Sequence, residues 1–74
     1  MSRGIESLKG VKALINFWFR DLSSEYQEKL YASCVMQYFE KMNYYRRKPY
    51  NLELSERLVI SKLENKVYSI ANVR

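Results

Sequence analysis

Tyr44, Tyr45, Arg46, Arg47, Lys48, Pro49 and Tyr50 set three cations among three tyrosines, the densest charge in the chain. Lysine and arginine neutralise phosphates or acidic side chains, and exposed rings stack on bases or fill apolar pockets. This stretch could therefore hold an anionic partner. Position offers the same charges a plainer use. Proline disfavours helical backbone at the preceding residue, and cations in a last turn meet the negative end of the helix dipole. Arg46, Arg47 and Lys48 thus also read as a solvated C-terminal cap.

Catalysis finds little to work with. There is no histidine, the commonest general base, and the two glycines make no phosphate-cradling loop. Glu25, Glu28, Glu40, Glu53, Glu56 and Glu64 read as solvated helix faces or first-turn partners of the helix dipole. Cys34 is the only cysteine, which excludes an internal disulfide and cannot make a zinc site. It falls beside an apolar stripe, where a free cysteine behaves as a small buried hydrophobe. The expectation is a protein that is not an enzyme and uses no metal or cofactor.

A second set of residues has a different character. Ile5, Leu8, Val11, Ile15, Trp18, Phe19 and Leu22 return with helical spacing and predict a first helix over about Ile5 to Arg20. Gly10 inside it costs about 1 kcal/mol relative to alanine, so packing must sustain this helix. Leu14 and Phe17 fall off the stripe, leaving the second half of the helix apolar around more than half its circumference. Such a helix is either sandwiched between others or presented as a docking surface. Leu14, Phe17 and Trp18 are the candidate apolar anchor, with Met36 and Tyr44, off the stripe of the second helix, as further protein-binding residues.

These residues need elements to position them. From Ser24 to Lys48 no glycine or proline interrupts the chain, and Tyr31, Val35, Tyr38, Met42 and Tyr45 recur at alternating four- and three-residue steps. One long helix is predicted. Ser23 or Ser24 can cap it, Ser24 with Gln27 has capping-box spacing, and Glu25 with Lys29 supports the first turns as an i,i+4 pair. After Pro49 a third helix is predicted with Ser55 as N-cap and Leu54 with Val59 as a hydrophobic staple. Its stripe is Ile60, Leu63, Val67 and Ile70, with fraying past Ala71. Matching stripes across a short connection argue for an antiparallel hairpin. The fold class is all-α: a three-helix domain with a helix 2–helix 3 antiparallel hairpin and helix 1 packed across it.

Thirteen Lys plus Arg against eight Asp plus Glu bias the chain towards anionic partners without naming one. Ala13 to Phe19 is too short to cross a bilayer, is interrupted by Asn16 and lacks a cleavage site, so the expected location is cytoplasmic. A lone core of this size supplies only about 3–5 kcal/mol, which favours self-association or docking. The functional expectation is a small non-catalytic adaptor or regulator that binds a larger protein, or itself, through apolar-aromatic helix surface. Arg46, Arg47 and Lys48 would steer it to an acidic surface, with Tyr45 and Tyr50 as further contacts of an anionic partner. The alternative is a basic RNA- or DNA-binding protein using the Tyr44–Tyr50 cluster, although no helix has an unbroken basic face and no compact helix-turn-helix is present. A membrane-surface role for the first helix has Trp18, Phe19, Lys9, Lys12 and Arg20 in its favour and a thin polar side against it.

Overall fold

The computed structural model describes residues 8–47 and 51–73. Three helices run in chain order, α1 Lys9–Trp18, α2 Ser24–Arg46 and α3 Leu52–Asn72, and each packs on the other two. This is the expected three-helix domain. Ile5, Lys48, Pro49 and Tyr50 lie outside the described residues.

The first turn is closed by side chains whose partners differ from the expected capping box. Ser23 is the cap of α2, its Oγ accepting from the Tyr26 N–H at 3.2 Å. Gln27 instead reaches backwards, its Nε2 donating to the carbonyls of Phe19 at 2.9 Å and Leu22 at 3.1 Å. Those two carbonyls lie past the end of α1, where backbone acceptors lack a helical partner. Gln27 therefore pins the exit of α1 to the entry of α2.

The start of α3 is also corrected. Asn51 caps it, with Oδ1 accepting from the Leu54 N–H at 3.1 Å, so the helix begins four residues before its expected first turn. Ser55 is interior and buried, and Leu54 is 60% exposed while Val59 is buried, so the pair forms no staple. Asparagine is at least as good a cap as serine, and it comes first in the chain. The other end extends as well, with the helix continuing to Asn72.

Cross-helix contacts set the directions. Phe19 meets Tyr26 and Lys12 sits over the Tyr31 ring, so α1 is antiparallel to α2. Tyr38 bonds Glu56 while Ser33 accepts from Lys66, so α2 is antiparallel to α3. Trp18 meets Tyr68. The described part of α1 thus lies along the N-terminal half of α2 and the C-terminal half of α3. Leu8, Val11, Ile15 and Phe19 enter a core with Leu30, Cys34, Tyr38, Met42, Val59, Leu63 and Val67. On α2 the inward face is centred slightly off the expected stripe: Leu30 and Cys34 are buried, whereas Tyr31, Val35 and Tyr45 are partly so.

Candidate docking surface

Phe17 and Trp18 stand at the last turn of α1, Phe17 on the flank away from Ile15 and Trp18 on the Val11–Ile15 side, at its outer edge. Their rings meet edge to face at 5.2 Å, and Trp18 makes a second edge contact with Tyr68 of α3 at 5.9 Å. Edge-to-face geometry sets the positive rim of one ring against the negative face of the next and holds all three in order. All remain in solvent, with Phe17 57%, Trp18 41% and Tyr68 42% exposed.

Arg20 completes this surface. Its guanidinium carbon lies 5.0 Å from the Phe17 ring centre, and Nη1 donates to the Phe17 carbonyl at 2.9 Å. A cation over the ring and a bond to the same residue's backbone fix one face of Phe17. Phe17, Trp18, Arg20 and Asp21 line an open depression, apolar on one wall and charged on the other. Such a site can take an apolar side chain and pair its polar neighbour.

The other expected protein-binding residues lie apart from it. Leu14 is half-buried against the core and contributes little outer surface. Met36 is 67% exposed in the middle of α2, and Tyr44 is 51% exposed near its C-terminus. Tyr44 touches Tyr45 edge to face at 5.3 Å, and Arg46 and Arg47 are exposed beside them. The expected anionic-partner contact thus has Tyr45, Arg46 and Arg47 within the described chain, while Lys48 and Tyr50 fall outside it. Phe19 packs on Tyr26 at the start of α2, and twenty residues of helix separate Tyr26 from Arg46, a span of about 30 Å. The aromatic anchor and the basic cluster therefore occupy opposite ends.

Tyr68 is the residue that sequence reasoning missed. It lies next to Val67 on the third stripe, and its only signal was being an aromatic off that stripe. Its value as a contact depends on α1 arriving beside it.

Two ionisable groups away from this surface are shifted by their surroundings. Burial pushes the Cys34 thiol up, with Lys66 opposing, which removes the thiolate a nucleophile needs. The Tyr38 phenol is pushed up to about 12, first by burial and then by its hydrogen bond to Glu56 and that group's charge, with Arg46 opposing. Among the described residues no group of three His, Cys, Asp or Glu could hold a metal ion, and no helix is long and apolar enough to cross a membrane. Comparison with known protein families, curated proteins and solved structures finds no match for this chain.

Proposed function

We propose that this protein is a small non-catalytic adaptor or regulator that docks on a larger protein through Phe17, Trp18 and Tyr68. The observation that carries the reading is the ordered, exposed run of three rings drawn from two helices, backed by Arg20. Trp, Tyr and Arg are the residue types that dominate binding energy at interfaces, and rings already held in place lose little freedom on binding. The basic excess and the exposed Arg46 and Arg47 favour an acidic partner surface, engaged as steering charges rather than anchors. A cytoplasmic or equally reducing setting suits a buried, unpaired Cys34.

Replacing Phe17 with Ser tests this directly. The complex should weaken by about 2 kcal/mol or more while the far-ultraviolet circular dichroism stays as in the parent chain. A loss of helix content would make Phe17 a structural residue and remove the docking surface. The partner itself is sought by affinity purification with and without nuclease. A protein that stays bound after nuclease and is released by the Phe17 substitution supports the adaptor. Recovery of nucleic acid alone would reverse the ranking in favour of RNA or DNA binding at the Tyr44, Tyr45, Arg46 and Arg47 end.

A further inference from the structure

Each helix of the hairpin buries every fourth residue: Leu30, Cys34, Tyr38 and Met42 on α2, and Ser55, Val59, Leu63 and Val67 on α3. Residues four apart form one row along a helix, so the positions just before and just after each buried row make its two flanks. The following positions face α1. Lys12 lies over Tyr31, a Cβ on Gly10 would come within 3.7 Å of Glu64 Oε2, and Trp18 meets Tyr68. The preceding positions line the opposite seam, which the bond from Lys66 to Ser33 at 3.2 Å crosses. Among the described residues no helix covers that second seam.

On α2 its row is Lys29, Ser33, Gln37 and Lys41; on α3 it is Leu54, Leu58, Lys62 and Lys66. With Ser33 opposite Lys66 in an antiparallel pair, Lys62 falls level with Gln37 and Leu58 with Lys41. Lys29, Lys66, Lys62 and Lys41 thus follow one another at steps of four residues, about 6 Å each and about 18 Å in all. Leu54 and Leu58, 60% and 47% exposed, continue the seam as an apolar end. Carboxylates stay at its margins. Glu25 holds Lys29 at 3.3 Å in an exposed and weak pair, Glu28 and Glu40 lie on the outermost row of α2, and Glu53 pairs with Arg57 on that of α3. Among the described residues Lys41, Lys62 and Lys66 form no ion pair.

The filled seam shows what a helix in such a place needs. α1 carries Lys9 and Lys12 and no carboxylate, and the flank of α3 on its side presents Glu56 and Glu64. The uncovered seam has the sign reversed. It repels a helix charged like α1 and favours one whose flanks are acidic. A helix seated between two others also needs apolar residues at three- and four-residue steps, and Leu54 and Leu58 are their counterparts. A nucleic-acid strand would use the lysines and leave both leucines in water.

We propose that the α2–α3 seam opposite α1 binds an amphipathic, acidic helix of a partner protein, its apolar stripe on Leu54 and Leu58 and its carboxylates on Lys41, Lys62 and Lys66. Carboxylates four residues apart on that helix repeat at the lysine spacing. The site lies across the hairpin from Phe17, Trp18 and Tyr68 and does not depend on what those rings bind. Two separate surfaces let one chain bridge two proteins.

Fluorescence anisotropy on the full chain tests the site with three labelled probes. The first is an amphipathic peptide of about 18 residues, leucines on one face and glutamates flanking them, long enough to span the lysines and leucines together. The second has lysines for the glutamates, and the third is oligouridine. The acidic peptide should bind saturably and the lysine peptide should not. Lys41→Glu with Lys62→Glu should weaken the acidic peptide about tenfold or more and let the lysine peptide bind. Leu58→Ser should weaken it several-fold. Lys9→Glu with Lys12→Glu makes the same change of net charge on α1 and, at physiological salt, should move the affinity less than about twofold. Phe17→Ser should leave it unchanged. Lys41, Leu58 and Lys62 are exposed, and unchanged circular dichroism in each variant keeps folding separate from binding. No saturable binding of the acidic peptide up to about 1 mM chain overturns the proposal. So does an equal loss from the α1 substitutions, which marks net charge alone. Oligouridine that outcompetes the peptide and is released by Lys41→Glu with Lys62→Glu assigns the seam to nucleic acid and overturns it as well.

Discussion

Two ends of the α2–α3 hairpin are built from different side chains. Where α1 lies across it, the interior is Val11, Ile15, Phe19, Cys34, Leu63 and Val67, without a charged group. Towards the connection between α2 and α3 the inward residues become Tyr38, Met42 and Ser55, and the Tyr38 hydroxyl donates to Glu56 at 2.7 Å. Extending the α1–α2 register back from Lys12 and Tyr31 brings Leu8 to about Val35, so the described α1 stops short of this second region. Three helices can enclose apolar side chains on every side. In the second region Tyr38 and Met42 are as well buried, at 4% and 5% exposed, and the Tyr38 hydroxyl finds its partner in half-buried Glu56. The difference is one of chemistry: an all-apolar interior where the described α1 packs, and a buried hydrogen-bonded phenol beyond it.

Substitutions at the two ends should separate them. The largest effect is expected from Phe19→Ala, which empties a fully buried position where α1, α2 and their turn converge. Its cost of about 3–5 kcal/mol rivals the whole stability of a domain this size, so the helical circular dichroism signal should collapse in the isolated chain. A folded Phe19→Ala protein would show that α1 is dispensable to the hairpin.

At the other end Tyr38→Phe keeps the ring and removes the bond to Glu56. A hydrogen bond to a charged group contributes about 1.5–3 kcal/mol, so urea denaturation should show a clear but sub-global loss. The pH dependence sharpens this. The phenol has its ordinary value of 10.0 in the unfolded chain and about 12 in the fold, so above pH 10.0 the unfolded state loses its proton first. Stability contributed by this group is complete below pH 10.0 and is lost as pH rises through about 12. Tyr38→Phe should flatten that alkaline decline. An unchanged decline would assign it to other groups.

The smallest effect should have the opposite sign. Gly10 sits within α1, and a Cβ there would meet Glu64 Oε2 at 3.7 Å, an ordinary contact. Gly10→Ala should therefore stabilise the protein by about 0.5–1 kcal/mol, measured as a raised denaturation midpoint, by improving the helix that only packing now sustains. No gain would mean that the end covered by α1 is limited by something other than that helix.

Legibility in the sequence followed the range of each interaction. The α2 stripe was readable because an uninterrupted helical period repeats over about four turns from Tyr31 to Tyr45, and Cys34 was readable as buried because it borders that stripe. Ser55 misled because a good cap residue inside an apolar repeat is indistinguishable by pattern from one at its start, and Asn51 had already capped the helix. Leu14 and Phe17 share the same off-stripe description, yet one packs on the core and the other faces solvent. Tyr68 was invisible as a site residue because Trp18 lies fifty positions away in the chain.

Residue order alone determined three helices, the approximate inward phase of each, the free thiol and the poverty of catalytic groups, since all follow from spacing within one helix or from inventory. Tertiary structure decided which flank of each helix is covered, that Trp18 meets Tyr68, and that the aromatic and basic clusters lie at opposite ends. A helical period defines directions around one axis. Which directions are filled depends on where the neighbouring axes lie, and that is settled only when the helices pack.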